Sequence, residues 1–519
     1  MASPSEKLAK SLEVLHELQK RGVVAIRSGD LTRTHRERLV KTGFLQEVIK
    51  GWYVTVRPGG APGESTAWYA SFWSFCTEYL QYLKGNDWCL SPEQSVSLHA
   101  ENWTVPRQLA VRATKARNNI TALPHDTALL DIRASIPENK NIDIRDGLRL
   151  FSLPTALIEC SPGYFRQNQT DMRAALSMVR DASEVLEGLL EGGHSTIAGR
   201  LAGAFRNIGR NRIADDIVRT MRAAGYDIRE KDPFETQIPV ALTARERSPY
   251  VNRIRIMWQE MREPIIERFP AAPRLPKNVD QYLKRVEDIY VTDAYHSLSI
   301  EGYRVSPELI EHVRSGTWNP DDNENDREHR NALAARGYWQ AYQAVCESIG
   351  KVLRDENPGT VVDNDHRVWY QEMFEPSVTA GILKPADLAG YRNIRVHIRR
   401  SMHVPPSHEA ARDAMSAFFD LLSEEPEPAV RVVLGHFIFV YIHPYVDGNG
   451  RMGRFLMNTM LASGGYPWTV IPVEMRNVYM AALEEASVDQ NIEPFTDFLA
   501  QLVQAGLDGK ATPGIPPSN

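Results

Sequence analysis

Cysteine is scarce. The chain of 519 residues has four, Cys76, Cys89, Cys160 and Cys346. They are scattered, with neither the paired spacing of a zinc site nor the density of a disulfide scaffold, and read as reduced core residues. No stretch of 18 or more apolar residues occurs, and Met1 to Lys10 is polar without the apolar centre of an export signal. Membrane spanning and secretion are therefore not expected, and the expected compartment is the cytoplasm. No internal repeat is present, and only Asp508 to Asn519 has the composition of a disordered tail. Neither sign of charge dominates: a net charge of -6, with 43% hydrophobic and 24% charged residues, describes an ordinary soluble chain and neither demands nor excludes a nucleic-acid partner. The length predicts two or three domains, each with its own core.

The patterning begins with an amphipathic helix over residues 6 to 20, where Leu8, Leu12, Leu15 and Leu18 fall at helical spacing. A second short helix is expected around His35 to Thr42. Leu45 to Val56 alternates and breaks at Lys50 and Gly51, which predicts a hairpin, so residues 1–58 read as two helices meeting a ribbon, a winged helix. A Gly/Pro cluster ends the block. Residues 65–165 read as mixed α/β, with Trp68, Phe72, Phe75 and Tyr79 at helical spacing and a strand-like run from Leu109 to Ala113. Residues 166–240 read as a helical connector. Prolines from Pro233 to Pro276 mark the entry to a last domain, taken as 250–507, in which nearly every long segment has a period near 3.6. The expected fold is thus multi-domain and mainly α: an all-α C-terminal core with a β-hairpin flap, after a winged helix and a mixed α/β segment.

The densest chemistry is the run HPYVDGNGRMGR, from His443 to Arg454, set between the apolar stretches Val432 to Ile442 and Phe455 to Leu461. A Gly448-Asn449-Gly450 entry to a helix supplies positive φ, close approach and free N–H groups aimed at an anion. Arg451 and Arg454, three residues apart, share a side of the first turn and can hold separate phosphates. Asp447 is a hard oxygen ligand of the kind that binds Mg²⁺ together with substrate phosphates. His443 has the pKa range of a general base at neutral pH.

These residues resemble the Fic family motif HxFx(D/E)GNGRxxR, with Tyr445 in place of the usual phenylalanine. The resemblance implies a protein adenylyltransferase that moves AMP from Mg-ATP to a Ser, Thr or Tyr hydroxyl of a protein, the chain itself among the candidates. It implies His443 as the base, Asp447 as the metal ligand, Gly448, Asn449 and Gly450 as the anion hole, Arg451 as a β-phosphate contact and Arg454 as a γ-phosphate contact. Tyr479 is a family-like choice for a wall of the base pocket. Homodimers occur among similar proteins.

Two upstream segments fit the same resemblance. Alternating Ile394, Val396 and Ile398, stopped by Pro405 and Pro406, predict a strand or hairpin like the Fic flap, whose edge docks an extended target. Ser297, Glu301 and Gly302 fit the inhibitory pattern (S/T)xxxE(G/N), placed ahead of the loop as in class II members. A carboxylate there would take the fork of Arg454 meant for the γ-phosphate. Two other readings stay open: an enzyme that removes AMP, with Glu301 positioning water, and a DNA-binding toxin-antitoxin-type regulator whose Fic domain senses nucleotide.

Residues 1–58 carry eleven Lys or Arg against six Asp or Glu, with Arg33, Arg36, Arg38 and Lys41 on and before the second helix, from which a winged helix touches DNA. The block, with Gly43, Gly51, Tyr53 and the run SLHAENW at 97–103, looks like AbiEi-type antitoxins, which implies a possible DNA partner. A protein-docking or purely structural winged helix are its rivals.

Overall fold

Apolar residues repeating every three or four positions build helices along most of the chain, and among the described residues strands occur only before residue 152. A computed structural model describes residues 3–59, 64–234, 248–316, 326–510 and 513–516. It divides into two compact units, the first formed by Met1–Arg253 with His397–Val404, the second by Ile254–Val396 with Pro405–Asn519. The three segments distinguished before residue 240 all fall in the first unit; residues 235–240 of the expected connector lie outside the described residues.

In the first unit, helix α1 (Pro4–Lys20) starts with a reciprocal cap: the Glu6 N–H donates to Ser3 Oγ and the Ser3 N–H to Glu6 Oε2. Strand β1 (Ile26–Arg27), helix α2 (Arg33–Lys41) and the hairpin β2 (Leu45–Ile49) and β3 (Trp52–Thr55) follow, the strands lying antiparallel in the order β1-β3-β2. Gly51, at φ +83, makes the hairpin turn that a side chain would strain. Helix α3 (Thr66–Lys84) buries Trp68, Phe72, Phe75 and Leu80. Next come β4 (Cys89–Leu90), α4 (Pro92–His99), β5 (Gln108–Ala113), β6 (Asn119–Leu123), β7 (Thr127–Arg133), β8 (Ile142–Arg145) and β9 (Leu148–Phe151). Four of these strands form one sheet, β4-β5-β7-β6, with β5 and β7 parallel; β8 and β9 form a separate hairpin. Six helices complete the run to the second unit: α5 (Leu153–Glu159), α6 (Tyr164–Gln167), α7 (Gln169–Met178), α8 (Ser183–Glu191), α9 (Ser195–Asn207) and α10 (Asn211–Ala223).

The run SLHAENW is a polar brace within this unit. Ser97 Oγ and Asn102 Nδ2 donate to Asp171 Oδ2 (2.7 and 2.9 Å), and His99 Nε2 bonds the Phe151 carbonyl (2.8 Å). Asp171, on α7, also forms a buried ion pair with Arg253. Late in the chain, His397–Val404 packs here too. Arg399 Nε donates to Glu64 Oε2 (3.0 Å), the Arg400 N–H to Thr66 Oγ1 (3.0 Å), and the Val105 N–H to the Met402 carbonyl (2.9 Å). The Thr66 hydroxyl, together with Arg399, outweighs the burial of the Glu64 carboxyl and holds its pKa down at about 2.

The second unit takes in most of α11 (Pro249–Arg268), then α12 (Val279–Ile300), α13 (Pro307–Arg314), α14 (Asp326–Leu353), α15 (Pro358–Thr379), α16 (His408–Glu424), α17 (Pro428–Ile442), α18 (Asn449–Ser463), α19 (Arg476–Val488) and α20 (Glu493–Leu507). Helix α17 is apolar all round and buried along nearly its whole length, so it is the centre of the unit. Glu425, ahead of it, accepts from the Trp258 indole (3.0 Å) and from both Nε and Nη2 of Arg262. No described helix is long and apolar enough to cross a membrane. Residues 508–510 and 513–516 of the tail hold neither helix nor strand.

One expectation is corrected. The flap is not a hairpin: residues 391–406 contain no strand, bend at Asn393 and Ile394, and turn at Arg399–Arg400, where Arg400 has φ +62. The alternation of Ile394, Val396 and Ile398 does not form a strand ladder with any described segment.

The brace yields a stability prediction. Asp171→Ala removes the buried carboxylate that Ser97, Asn102 and Arg253 all bind, a loss of about 3 to 5 kcal/mol. Urea denaturation of the full chain followed at the first unit's tryptophans would show it; a loss under about 1 kcal/mol would contradict the brace.

Candidate active site

Helix α17 ends at His443, which caps it in the left-handed conformation (φ 53, ψ 58), and α18 starts after Gly448 at φ 83. Two left-handed residues five positions apart fold the intervening chain into a tight loop. Asn449 locks it: the Tyr445 N–H donates to Asn449 Oδ1 and Asn449 Nδ2 donates back to the Tyr445 carbonyl, both at 2.9 Å. The Asn449 side chain thus ties the loop to itself, and its backbone N–H lies at the helix start, where an anion would be met. Tyr445 is fully buried and stacks on Tyr370, ring centroids 3.9 Å apart.

His443 Nδ1 lies 3.2 Å from the Val440 carbonyl. A carbonyl only accepts, so Nδ1 carries the proton and Nε2 presents a lone pair. Burial, and next the Arg392 charge, push the imidazole pKa down to about 4. Asp447 is 66% exposed at its side chain; its Oδ1 accepts the Gly448 N–H (2.6 Å), and its Oδ2 lies 3.7 Å from Arg451.

The two arginines behave differently. Arg454 is buried; its Nε donates to Ser297 Oγ (2.8 Å), and its Nη2 to the Ser297 carbonyl (3.0 Å) and to Glu301 Oε1 (2.8 Å). Burial opposes the Arg454 charge, but Glu301 outweighs it and raises the pKa. Burial likewise works against the Glu301 carboxylate, yet Arg454, Arg451 and Arg476 hold its pKa below the usual value. Arg451 is buried between aromatic faces, its guanidinium carbon 5.3 Å from the Tyr303 ring and 5.1 Å from the Phe374 ring. Its Nε, and Nη1 of Arg454, are buried without a hydrogen-bond partner. Two orphaned guanidinium N–H groups beside a helix start are the donor set an oligophosphate would satisfy.

Helix α12 delivers Glu301. Its buried face runs Tyr282, Val286, Tyr290, Asp293, Ser297, and its end is a Schellman turn: the Tyr303 N–H donates to the Leu298 carbonyl and the Gly302 N–H to the Ser299 carbonyl. Gly302, at φ +88, permits the turn, and Glu301 is left pointing at α18. The approach is so close that a Cβ on Gly450 would stand 2.3 Å from Glu301 Oε1. A cleft of about 370 Å³ opens beside it, lined by Glu301, Gly302, Tyr303, Arg304, Arg330, Asn331 and Asp447.

The sequence reading missed several residues. Asp293 accepts from the Tyr338 hydroxyl (2.6 Å) and the Trp468 indole (3.0 Å), and burial pushes its carboxyl pKa up to about 6. Tyr303, Phe374 and Arg392 were missed too; only three-dimensional neighbours reveal them. Tyr479 is buried against His436, Phe495 and Phe498 and does not line the cleft. In the flap, Ile394 is exposed and Val396 and Ile398 half-buried. Among the described residues no group of three or more His, Cys, Asp or Glu side chains is placed to hold a metal; the exposed Asp447 carboxylate is the hard-oxygen group of the loop that would hold Mg²⁺ together with substrate phosphates.

Residues 363–461 match the Fic/DOC family. The chain is 28% identical over 273 residues to "Protein adenylyltransferase Fic" of Nematostella vectensis, covering 52% of this chain and 59% of that protein. It is 36% identical over 132 residues to the protein of the same name from Drosophila willistoni, covering 25% and 26%. The chain thus spans about three fifths or less of the length of these relatives. Among solved structures, Fic-1 (aa134–508) from C. elegans aligns at 19% identity and TM-score 0.37, covering 66% of this chain and 91% of that one.

The surroundings of His443 set its titration. Its folded-state pKa lies below the free value, so the imidazole is neutral across the range in which a free imidazole protonates. In ¹⁵N spectra at about pH 5.5 the His443 signal, identified by its loss in His443→Ala, should be that of a neutral ring, where an unperturbed histidine would be mostly charged. A midpoint above about 6 would contradict the burial described.

Proposed function

We propose that this chain is a protein adenylyltransferase whose own Glu301 holds it off. The observation that carries the reading is the Glu301 carboxylate seated against Gly450 and bonded to Arg454, where an incoming phosphate would lie.

With Glu301 withdrawn, the N-terminal N–H groups of α18 receive the phosphates and Arg454 is freed for the γ-phosphate, Arg451 for the β-phosphate. Mg²⁺, held by Asp447 and phosphate oxygens, would neutralise the charge of the triphosphate. An extended target segment lies along Ile394 and Val396 and brings its hydroxyl to His443 Nε2. Nε2 takes the hydroxyl proton as the oxygen bonds to the α-phosphorus. The bond from that phosphorus to the bridging oxygen breaks, pyrophosphate leaves, and AMP stays on the target as a phosphodiester.

For the N-terminal block we propose a winged helix that meets DNA with Arg33 and Lys41. These side chains are exposed, whereas Arg36 donates to the Ser28 carbonyl and Arg38 to the Lys7 carbonyl and Ser11 Oγ. The double change Arg33→Glu and Lys41→Glu should abolish retention on heparin and DNA at about 50 mM salt; equal retention of both proteins would remove DNA from the account. The four cysteines, none of them disulfide-bonded, support a reducing compartment such as the cytoplasm.

The enzymatic proposal is tested by intact mass after incubation with Mg-ATP. At an effective dielectric of about 20, two like charges about 4 Å apart repel by roughly 4 kcal/mol, so Glu301→Gly should raise AMP incorporation by about tenfold or more. Adding His443→Ala should abolish it. Equal or lower incorporation in Glu301→Gly would end the inhibitory role, and loss of AMP from a modified protein in the wild type alone would assign Glu301 to AMP removal.

A further inference from the structure

The loop has a second anchor, outside the motif from His443 to Arg454. Arg392, 2% exposed, stands where the chain enters the flap. Its backbone N–H donates to the Pro444 carbonyl (2.9 Å), its Nε to the His443 carbonyl (2.8 Å), and its Nη2 lies 3.5 Å from the Ile442 carbonyl. Three consecutive carbonyls around the histidine thus face one residue. The same guanidinium closes the neck of the flap, Nη1 donating to the Ile394 carbonyl (3.0 Å) on the way out and Nη2 to the Pro406 carbonyl (2.5 Å) on the way back.

The arrangement matters because His443 holds a left-handed backbone that non-glycine residues avoid. A residue in that conformation stays there only if its surroundings over-determine it. Asn449 and Gly448 fix the far side of the loop, and Arg392 fixes the near side. The planar fork, with donors in three directions, can bridge carbonyls on separate segments at once; a lysine ammonium offers one point.

We propose that Arg392 is a positioning residue: it couples the flap neck to the backbone of His443 and so holds the imidazole with Nδ1 on Val440 and Nε2 toward the target docked on the flap. The carbonyls it binds are at the roots of both the docking segment and the base, so a displacement of one is transmitted to the other. The proposal rests on His443 acting as the base of AMP transfer, and its test separates the two.

The full-length chain carrying Glu301→Gly is compared with the same protein carrying also Arg392→Lys or Arg392→Gln. The first readout needs no activity: the ¹⁵N shifts of the His443 ring, identified by difference from His443→Ala. In the parent they should report one neutral tautomer, protonated at Nδ1; in both Arg392 variants, a mixture. The second is kinetic: kcat for AMP incorporation should fall by about tenfold or more, up to about a hundredfold for a misplaced base, while KM for ATP stays within about twofold because Arg451 and Arg454 are untouched. Should Arg392→Gln not fold, Arg392→Lys, which keeps the charge, carries the test. A folded variant with the parent tautomer overturns the proposal, and so does one with the parent kcat. If the parent transfers no AMP, the adenylyltransferase reading fails by itself, and the tautomer alone decides the role of Arg392.

Discussion

A guanidinium does not shed its charge when buried, so Arg454, almost wholly covered in the second unit, must find an anion. Phosphate would serve, and in this structure Glu301 does, with the hydroxyl and carbonyl of Ser297 filling the remaining directions. Burying a cation without such partners costs several kcal/mol, which makes the start of α18 a place that one anion or another must occupy. In the function proposed above, the glutamate and a γ-phosphate would be alternatives for this one charge, so regulation and chemistry would both draw on it.

The depth of this arrangement comes from α12. Its last turn presents Ser297 and Glu301, and one turn earlier Asp293 receives the Tyr338 hydroxyl and the Trp468 indole, which ties the helix to α14 and to the segment after α18. Such a network resists partial displacement, because moving the helix would leave a buried carboxyl without its donors. Arg451 is held by other means. Tyr303, which completes the Schellman turn, and Phe374 cover its two faces. The same turn thus touches both arginines, one through a carboxylate and one through a ring.

The loop from His443 to Arg454 was legible because its chemistry is local. Glycines, a histidine, a carboxylate and two arginines within twelve residues announce an anion site before any fold is known, and the glutamate ahead of Gly302 announces a helix end. The N-terminal ribbon was legible for the same reason, through alternation and Gly51. What escaped was long-range. Arg392 meets the loop fifty residues on, Asp171 answers Ser97 and Arg253 from other helices, and His397–Val404 packs on Glu64 and Val105. No periodicity encodes those partners. The flap shows the opposite error: alternating Ile394, Val396 and Ile398 look like a paired strand, but a strand is defined by its ladder, and among the described residues none forms on this segment.

Gly450 has a consequence for how such a chain can change over time. A Cβ at that position would collide with Glu301 Oε1 and stand 3.3 Å from Arg454 Nη1. A side chain there must displace the flexible end of Glu301, so the residue at 450 and the contact between Glu301 and Arg454 are not free to vary independently. Under the inhibitory role proposed above, α12 and its terminal turn are where the restraint could be lost while the loop stays whole, which would let a lineage alter its regulation apart from the loop.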